Sequence, residues 1–303
     1  MNMRILFLII CCIITVVTAS HALAEEFDVI AKQNEEDLTI GTRLQRPPWE
    51  ASVGTTWLPG SGISSTSGNL TMGEVKADFS RRIGINPRFD LSTGLHYSLR
   101  EIDAPKDAHL PESLQTFAVD LGGDYRTSDS LTLGFKVSPG LSSDFKSITT
   151  NDVRVPVAVS AQYQMSKTVS LLGGIAYTGQ KHSLTFLPMI GVMYLPSEKW
   201  AFALGFPRTG IAYKPNNKTE LFLGGEFSEG EYRLHDSSVG ANIIRYTDYR
   251  ALAGVEFPLS TIAKLGISGG YAFGRKFVFY EGNRNDVNLG SAPFGRVEVK
   301  FAW

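Results

Sequence analysis

Cysteine is almost absent from this chain of 303 residues, since only Cys11 and Cys12 occur, both inside an apolar run near the start. A disulfide framework and a cysteine-ligated metal site are therefore excluded for everything that follows residue 12. An excess of charge is absent too, because the chain has 29 Lys and Arg residues and 30 Asp and Glu residues. No long basic run is present, and so nothing in the sequence indicates nucleic acid as a partner.

Helical periodicity is also missing after the N-terminal apolar run. The mean hydropathy is −0.03, which argues against a bundle of membrane helices. It does not argue against a membrane barrel, whose strands are only half apolar.

The first 24 residues have the pattern of a secretory signal peptide. A short positive start ending at Arg4 precedes an apolar run over residues 5–17, and small residues follow at Ala22 and Ala24. The run is shorter than the roughly 18 residues that a membrane anchor needs. Lipidation at either cysteine is rejected, because Ile10 is not a small residue. We predict that residues 1–24 are removed and that the polar residues 25–47 form a mobile segment or a plug of a lumen.

From residue 48 onward the apolar residues recur with a period of two, as in β-strands. Residues 89–100 (FDLSTGLHYSLR) alternate in this way, and the same pattern returns in residues 117–125, 131–137, 153–163, 169–177, 249–257 and 263–273. Six short links contain turn-forming residues, at 85–88, 127–130, 165–168, 196–199, 215–218 and 258–261. Longer polar links alternate with them, at 59–69, 101–112, 141–152, 228–245 and 281–292.

Short turns on one side and long loops on the other are typical of an up-and-down barrel of the bacterial outer membrane. We predict an all-β fold, a transmembrane up-and-down antiparallel β-barrel of about 14 strands over residues 48–303. The number becomes 12 if residues 199–214 do not form a full hairpin.

A secreted soluble β-sandwich would also alternate. However, the predicted strands are long, and the polar face is rich in small residues rather than in Lys and Glu. Aromatic residues also lie near strand ends on the apolar face, as in the girdles of membrane barrels, at Trp57, Tyr125, Tyr163, Tyr177, Trp200, Tyr249 and Trp303. We therefore expect the apolar face to contact outer-membrane lipid.

The chain ends in FGRVEVKFAW, which places Val297, Val299, Phe301 and Trp303 on one face of a strand. This pattern resembles the C-terminal assembly signal of bacterial outer-membrane proteins, although the usual last residue is Phe. The resemblance implies that the barrel-assembly machinery is a partner and that the last strand closes against the first.

Residues 187–234 contain Leu-Pro, then Gly-Phe-Pro, then Tyr-x-Pro, then Gly-Gly-x-Phe. The stretch resembles the shared segment of an uncharacterised family of predicted bacterial outer-membrane barrels. The resemblance implies a fold and a location, but it carries no activity.

The leading hypothesis for function is a passive, porin-like channel or solute-uptake barrel for small solutes, with no cofactor and no metal. Charged residues on the polar face would then set the selectivity of the lumen, namely Asp90, Arg100, Asp120, Asp124, Arg154, Arg250 and Lys264. Alternatively these residues pair across a closed lumen, and the protein is a structural or surface-interaction barrel.

An outer-membrane hydrolase is the third hypothesis, because His96 is close in sequence to Ser98 and His182 is next to Ser183. No nucleophile-elbow motif accompanies either pair. We therefore predict that the protein is not an enzyme.

Overall fold

The computed structural model describes residues 47–64, 66–182, 185–206 and 208–303. The predicted signal peptide, residues 1–24, and nearly all of the polar segment, residues 25–47, lie outside the described residues. Almost all of the described chain is β-structure in one sheet. The helical elements of this part are three short 3-10 turns, Lys106–Ala108, Thr150–Asp152 and Ser237–Val239. In the described ranges, no helix is long and apolar enough to cross a membrane.

The sheet contains seventeen strand segments. In chain order they are β1 (Trp49–Gly62), β2 (Asn69–Asn86), β3 (Phe89–Asp103), β4 (Ser113–Arg126), β5 (Leu131–Val137), β6 (Gly140–Ser143), β7 (Val153–Arg154), β8 (Val157–Gln164), β9 (Val169–Tyr177), β10 (Phe186–Ser197), β11 (Trp200–Phe206), β12 (Arg208–Asn216), β13 (Thr219–Arg233), β14 (Ile243–Pro258), β15 (Ala263–Tyr280), β16 (Val287–Asn288) and β17 (Ala292–Ala302).

These segments form a closed antiparallel barrel of 14 strands. Three barrel strands consist of two segments each, since β5 continues into β6, β7 into β8 and β16 into β17. The barrel closes where β1 pairs with both β2 and β17. Because β11 and β12 pair with each other from Trp200↔Tyr213 to Ala203↔Gly210, the predicted number of 14 strands is confirmed and the alternative of 12 is excluded.

Two of the interrupted strands break at a proline. The breaks contain Pro139 and Pro156, whose nitrogen atoms cannot donate to the ladder. Their carbonyl groups still bond to the neighbouring strands, because Val119 N donates to Pro139 O and Ser138 N donates to Pro156 O, at 2.9 and 3.0 Å. The barrel is therefore continuous through both breaks.

All six predicted short turns join strands at the end of the barrel that holds both described termini. At this end, Trp49 and Trp303 exchange two backbone hydrogen bonds of 3.0 Å, and their rings stack 6.5 Å apart. We call this the turn end, and the opposite end the loop end. The link predicted over residues 228–245 is shorter in the structure, because β13 continues to Arg233 and β14 begins at Ile243.

The outer face is apolar along the length of the strands. Side chains such as Phe135, Ile175 and Ile190 are exposed there, as lipid-facing positions require. The seven aromatic residues predicted near strand ends are all exposed. The opposite, inward face contains the polar and small residues, so the predicted orientation of the two faces is confirmed.

A bulge changes the phase of β15 near its middle. The pairing of β15 with β14 shifts between Thr247 and Tyr249, opposite Gly274, whose φ is +62°. This left-handed conformation favours glycine over other residues. Ala272 and Arg275 are consequently both buried inside the barrel, although three residues separate them.

The loop end is narrower than the turn end. Ser143 of β6 pairs in parallel with Arg233 of β13, although β7 to β12 lie between these strands in the barrel. This pairing closes a smaller ring at the loop end, beyond the ends of the shorter strands. The ring consists of β13, β14, β15, β16, β1, β2, β3, β4 and β6. It is filled by an apolar cluster that includes Leu58, Met72, Ile244, Phe277 and Phe279.

Candidate functional site in the barrel lumen

The centre of the lumen contains a buried ionic cluster around Glu74 of β2. Its carboxylate accepts two hydrogen bonds of 2.8 Å from the guanidinium of Arg250 on β14 and one of 3.0 Å from Arg100 on β3. Because β15, β17 and β1 lie between β2 and β14, the bidentate pair of Glu74 and Arg250 crosses the lumen. Charge-assisted pairs of this geometry are the strong ones in proteins.

Further groups complete this cluster. Arg250 Nε donates to Asp248 Oδ2 at 3.0 Å, and Arg100 lies 4.3 Å over the ring of Tyr246. Arg100 also donates to the hydroxyl of Tyr232 at 3.2 Å. The side chains of Glu74, Arg100, Arg250 and Asp248 are each at most 6% exposed. Such burial is tolerated because each charge has an opposite charge beside it.

Arg275 borders the cluster on the side of the loop end. Its guanidinium donates to Tyr246 Oη, Ser61 Oγ and Gly290 O at 3.2, 2.6 and 3.1 Å. Strict alternation along β15 places residue 275 on the lipid face, and so it is absent from the predicted lumen residues. The signal that could have revealed it is Gly274 alone. Phe277 and Phe279 keep the sequence phase of the lipid-facing Tyr271 and Phe273, yet they are buried inside the barrel.

Nearer the turn end, the charges of the lumen form a second set of pairs. Asp120 contacts Lys136 at 3.2 Å. Glu226 links this set to the central cluster, because it contacts Arg296 at 2.5 Å and Arg250 at 3.9 Å. Glu256 accepts from Lys300 and from Lys264 at 2.8 and 3.1 Å. In both sets, each of these charged side chains thus contacts a side chain of opposite charge.

The structure places the seven predicted selectivity residues at different levels of the lumen. Arg100 and Arg250 are in the central cluster, and Asp120 and Lys264 are in the pairs near the turn end. Asp90 and Asp124 are opposite each other in the ladder between β3 and β4 at the turn end. Arg154 is at the loop end.

At the loop end, Glu231 of β13 holds a segment that reaches over from the far side of the barrel. We call residues 178–182, which follow β9, the strap. Glu231 accepts hydrogen bonds from the backbone N–H groups of Lys181 and His182, at 3.1 and 2.9 Å. It also accepts from Arg154 of β7 at 3.4 Å. One buried carboxylate therefore joins β13, β7 and the strap.

The strap is held from a second side. The carbonyl of His182 accepts hydrogen bonds from Arg245 Nη1 and Tyr280 Oη, at 2.8 and 3.1 Å. The imidazole of His182 stacks on the ring of Tyr280, with 4.4 Å between the centroids. These contacts bring β14 and β15 into the closure of the loop end.

The two histidines considered for catalysis have other surroundings. His96 is fully buried, with Nδ1 3.0 Å from Asp78 Oδ1, and Ser52 donates to the other oxygen of Asp78 at 3.2 Å. His182 is part of the strap, and Ser183 lies outside the described residues. The contacts of both histidines bind wall elements to each other.

The fold and the lumen define a class of protein, the outer-membrane type of closed β-barrel. The chain belongs to the family described as "Domain of unknown function (DUF6268)", whose model matches residues 74–287. The predicted membership in an uncharacterised barrel family is thereby confirmed. No curated protein matches the chain.

Solved structures of similar fold include outer-membrane channels. A deltaS2S3 mutant of the monoaromatic hydrocarbon channel TodX has 9% sequence identity and a TM-score of 0.50, over 86% of this chain and 91% of that one. An outer-membrane channel from Pseudomonas putida F1 has 12% identity and a TM-score of 0.46, over 86% and 97%. At such identities the likeness shows the fold alone.

Proposed function

We propose that the protein is a passive channel of the bacterial outer membrane that admits small solutes. The observation that best supports this is the inner face of β8 and β9, where Ser160, Gln162, Leu172 and Gly174 are only half-buried. A barrel with an apolar outer face and accessible inner positions is suited to passage across a bilayer. The TodX mutant, whose barrel has a similar fold, is itself a channel, which makes transport the first function to test.

In this proposal the strap is the part that must move. It covers the loop end while Glu231 binds it, and a solute passes when the strap leaves that carboxylate. Four buried polar atoms in or beside it have no hydrogen-bond partner among the described residues: Gln180 Oε1, His182 Nε2, Arg154 Nε and Arg245 Nε. Buried polar atoms of this kind need a partner, and a hydrated passage beneath the strap would supply one.

The proposal includes the route to the membrane. Residues 1–24 direct export. The barrel-assembly machinery recognises the last strand through Val297, Val299, Phe301 and Trp303. Residues 25–47 join the barrel at the turn end, where they would plug the lumen. We assign no catalysis and no cofactor to the lumen.

For selectivity we propose two different roles for the lumen charges. Arg100, Asp120, Arg154, Arg250 and Lys264 are ion-paired, so they mainly hold the wall. Asp90 and Asp124 lie opposite each other in the ladder at the turn end, and two like charges side by side add a negative field that a solute meets there. Because both signs occur along the lumen, we expect no strong preference between cations and anions.

A second candidate function is a structural barrel with a closed lumen. The observation that favours it is the apolar cluster at the loop end, in which Leu58, Met72 and Phe277 are fully buried. This packing stabilises the barrel whether or not a solute passes.

Single-channel conductance in planar bilayers separates the two candidates. The proteins are refolded residues 25–303, the same chain without residues 25–47, and the variant Glu231→Gln in both lengths. Glu220→Gln is the matched control, because Glu220 is on the same strand but pairs with Lys214 at the turn end.

We expect frequent openings in Glu231→Gln and wild-type behaviour in Glu220→Gln. A higher conductance after truncation would identify residues 25–47 as a plug. Silence of all these proteins, each shown to be folded by its heat-dependent gel mobility, would overturn the channel and support the structural barrel.

A further inference from the structure

The charges inside the barrel are distributed unevenly, because the inner face of β8 to β10 has none. The ladder shows which residues share the inner face. Lys136 of β5 is opposite Ala158 of β8, which is opposite Ala176 of β9 and, beyond it, Leu187 of β10. The neighbouring inward row contains Gly134, Ser160, Gly174 and Met189. Every strand from β8 to β10 is fully described. Their inward residues are all uncharged: Ala158, Ser160, Gln162, Gln164, Ser170, Leu172, Gly174, Ala176, Leu187, Met189, Gly191, Met193 and Leu195.

The wall continues without charge into β11, where Ala201 and Ala203 point inward. The next strand, β12, begins at Arg208, which is opposite Glu226 in the ladder, and it carries Lys214 near the turn end, where Lys214 contacts Glu220 at 3.0 Å. We call the inner face of β8 to β11 the uncharged wall.

The rest of the lumen has the opposite character. The strands from β13 round to β5 carry the central cluster around Glu74, the pair of Glu226 and Arg296 beside it, and pairs near the turn end such as Glu256 with Lys300. A paired carboxylate is partly neutralised by its partner, so it attracts a mobile ion less than a free one does. A charged solute that loses its hydration water in the lumen therefore gains no strong ionic contact on either side.

From this distribution we infer that the uncharged wall is the binding track of the channel, and that its solutes are small uncharged molecules with both apolar and hydrogen-bonding groups. The inference rests on the proposed channel function and adds the class of solute to it.

The side chains of the wall match this chemistry. Leu172, Met189 and Met193 offer apolar surface, and the two methionines adapt their shape to what they contact. Ser160 and Gln162 offer donors and acceptors next to that surface. A charged solute, in contrast, would lose hydration on this wall without gaining an ionic partner.

The test is a swelling assay with proteoliposomes and three solutes that share one sugar ring. Methyl glucoside is neutral, glucosamine is a cation and glucuronate is an anion, each supplied at equal osmolality. The protein is whichever of the wild type and Glu231→Gln conducts in the bilayer experiment. We expect methyl glucoside to enter about tenfold faster than either charged sugar, because only the charged sugars lose strong hydration on the wall.

Two variants at one position locate the track. Gln162→Glu adds a charge to the uncharged wall with almost no change of shape, whereas Gln162→Leu keeps the position neutral. We expect Gln162→Glu to slow glucuronate about threefold or more relative to methyl glucoside through like-charge repulsion. Gln162→Leu removes the amide without adding a charge, so any change in the two rates should affect both sugars alike and should not reproduce this selective slowing of glucuronate.

The outcomes distinguish the two levels of the proposal. If the protein conducts ions and either charged sugar enters faster than methyl glucoside, the solute class is wrong and the channel stands. If Gln162→Glu leaves the ratio unchanged in a conducting protein, the track does not follow this wall. If no protein conducts and no sugar enters, the channel itself is overturned, and this inference with it.

Discussion

Ser143 at the end of β6 and Arg233 at the end of β13 are paired in parallel, although five barrel strands lie between them in the sheet. The contact is reinforced by Asp144, whose N–H donates to Arg233 O at 3.1 Å and whose carboxylate accepts from His235 N and Asp236 N at 2.9 Å. This seam divides the loop end into a packed ring and a short-walled arc. The strap lies over the arc, so a passage at this end is expected there.

The seam predicts a disulfide. Paired residues of neighbouring strands have Cα atoms within the range of about 4.4 to 6.8 Å that a disulfide requires. The double variant Ser143→Cys with Arg233→Cys, made in the otherwise cysteine-free residues 25–303, should therefore oxidise to an intramolecular bridge. Protection of both thiols from a maleimide reagent measures this, with each single variant as the control.

The same disulfide tests whether solutes pass through the arc or at the seam. If solutes pass through the arc, the oxidised double variant should conduct like the reduced one. A loss of conductance on oxidation would instead place the passage at the seam.

The central cluster predicts a large effect of a small change. Glu74→Gln keeps the shape of the side chain but removes the carboxylate that Arg100 and Arg250 share. Breaking a buried ion pair on one side leaves an uncompensated charge, and typically costs about 3 to 5 kcal/mol. We expect the free energy of unfolding in urea and detergent to fall by about that amount.

Lys264→Gln is the control for this experiment. Lys264 also belongs to a lumen ion pair, but its side chain is 61% exposed, and exposed pairs contribute only about 0 to 1 kcal/mol. Equal losses in the two variants would contradict the assigned role of the buried cluster.

Much of the fold follows from local patterns in the sequence. Alternation identifies the strands and their two faces, and the turn residues locate all six short links, because both properties depend on neighbours along the chain. The strand number followed from these two, including the hairpin of β11 and β12. The C-terminal pattern also predicts that the last strand closes against the first, and the pairing of β1 with β17 confirms this.

The contacts across the lumen could not be predicted in the same way. The residues Glu74 and Arg250 are 176 positions apart, and their pairing depends on the radius of the barrel and on the stagger of strands that are not neighbours. Gly274 shifts the phase of half a strand, and strict alternation therefore assigns Arg275 to the wrong face. The seam depends on how short β7 to β12 are compared with β13, which the positions of the turns do not reveal.

Two adjacent glycines of β9 give a test of the assignment of faces. A Cβ atom on Gly174 would lie 2.6 Å from Met189 Cε and 2.6 Å from Val159 O, whereas one on Gly173 would meet nothing within 4 Å. Overpacking of this kind costs about 1 to 3 kcal/mol, so Gly174→Ala should unfold at a lower urea concentration than the wild type. Gly173→Ala should be neutral or slightly stabilising, since alanine has less backbone freedom to lose than glycine. A reversed order would mean that the faces of β9 are exchanged.

A last prediction concerns pH and the loops outside the membrane. Lys146 donates a hydrogen bond to Asp236 and so lowers the pKa of that carboxyl to about 2, below the value of about 3.9 for an unfolded chain. Such a group stabilises the docked loop above the unfolded pKa, and the contribution is lost as the pH falls through the folded pKa. The loop between β13 and β14 should therefore loosen between about pH 4 and pH 2, which hydrogen exchange of residues 234–242, corrected for intrinsic rates, would measure. Asp236→Asn should loosen this loop at neutral pH and make the acid step smaller. An acid step of the same size in Asp236→Asn would show that the pair of Lys146 and Asp236 does not cause it.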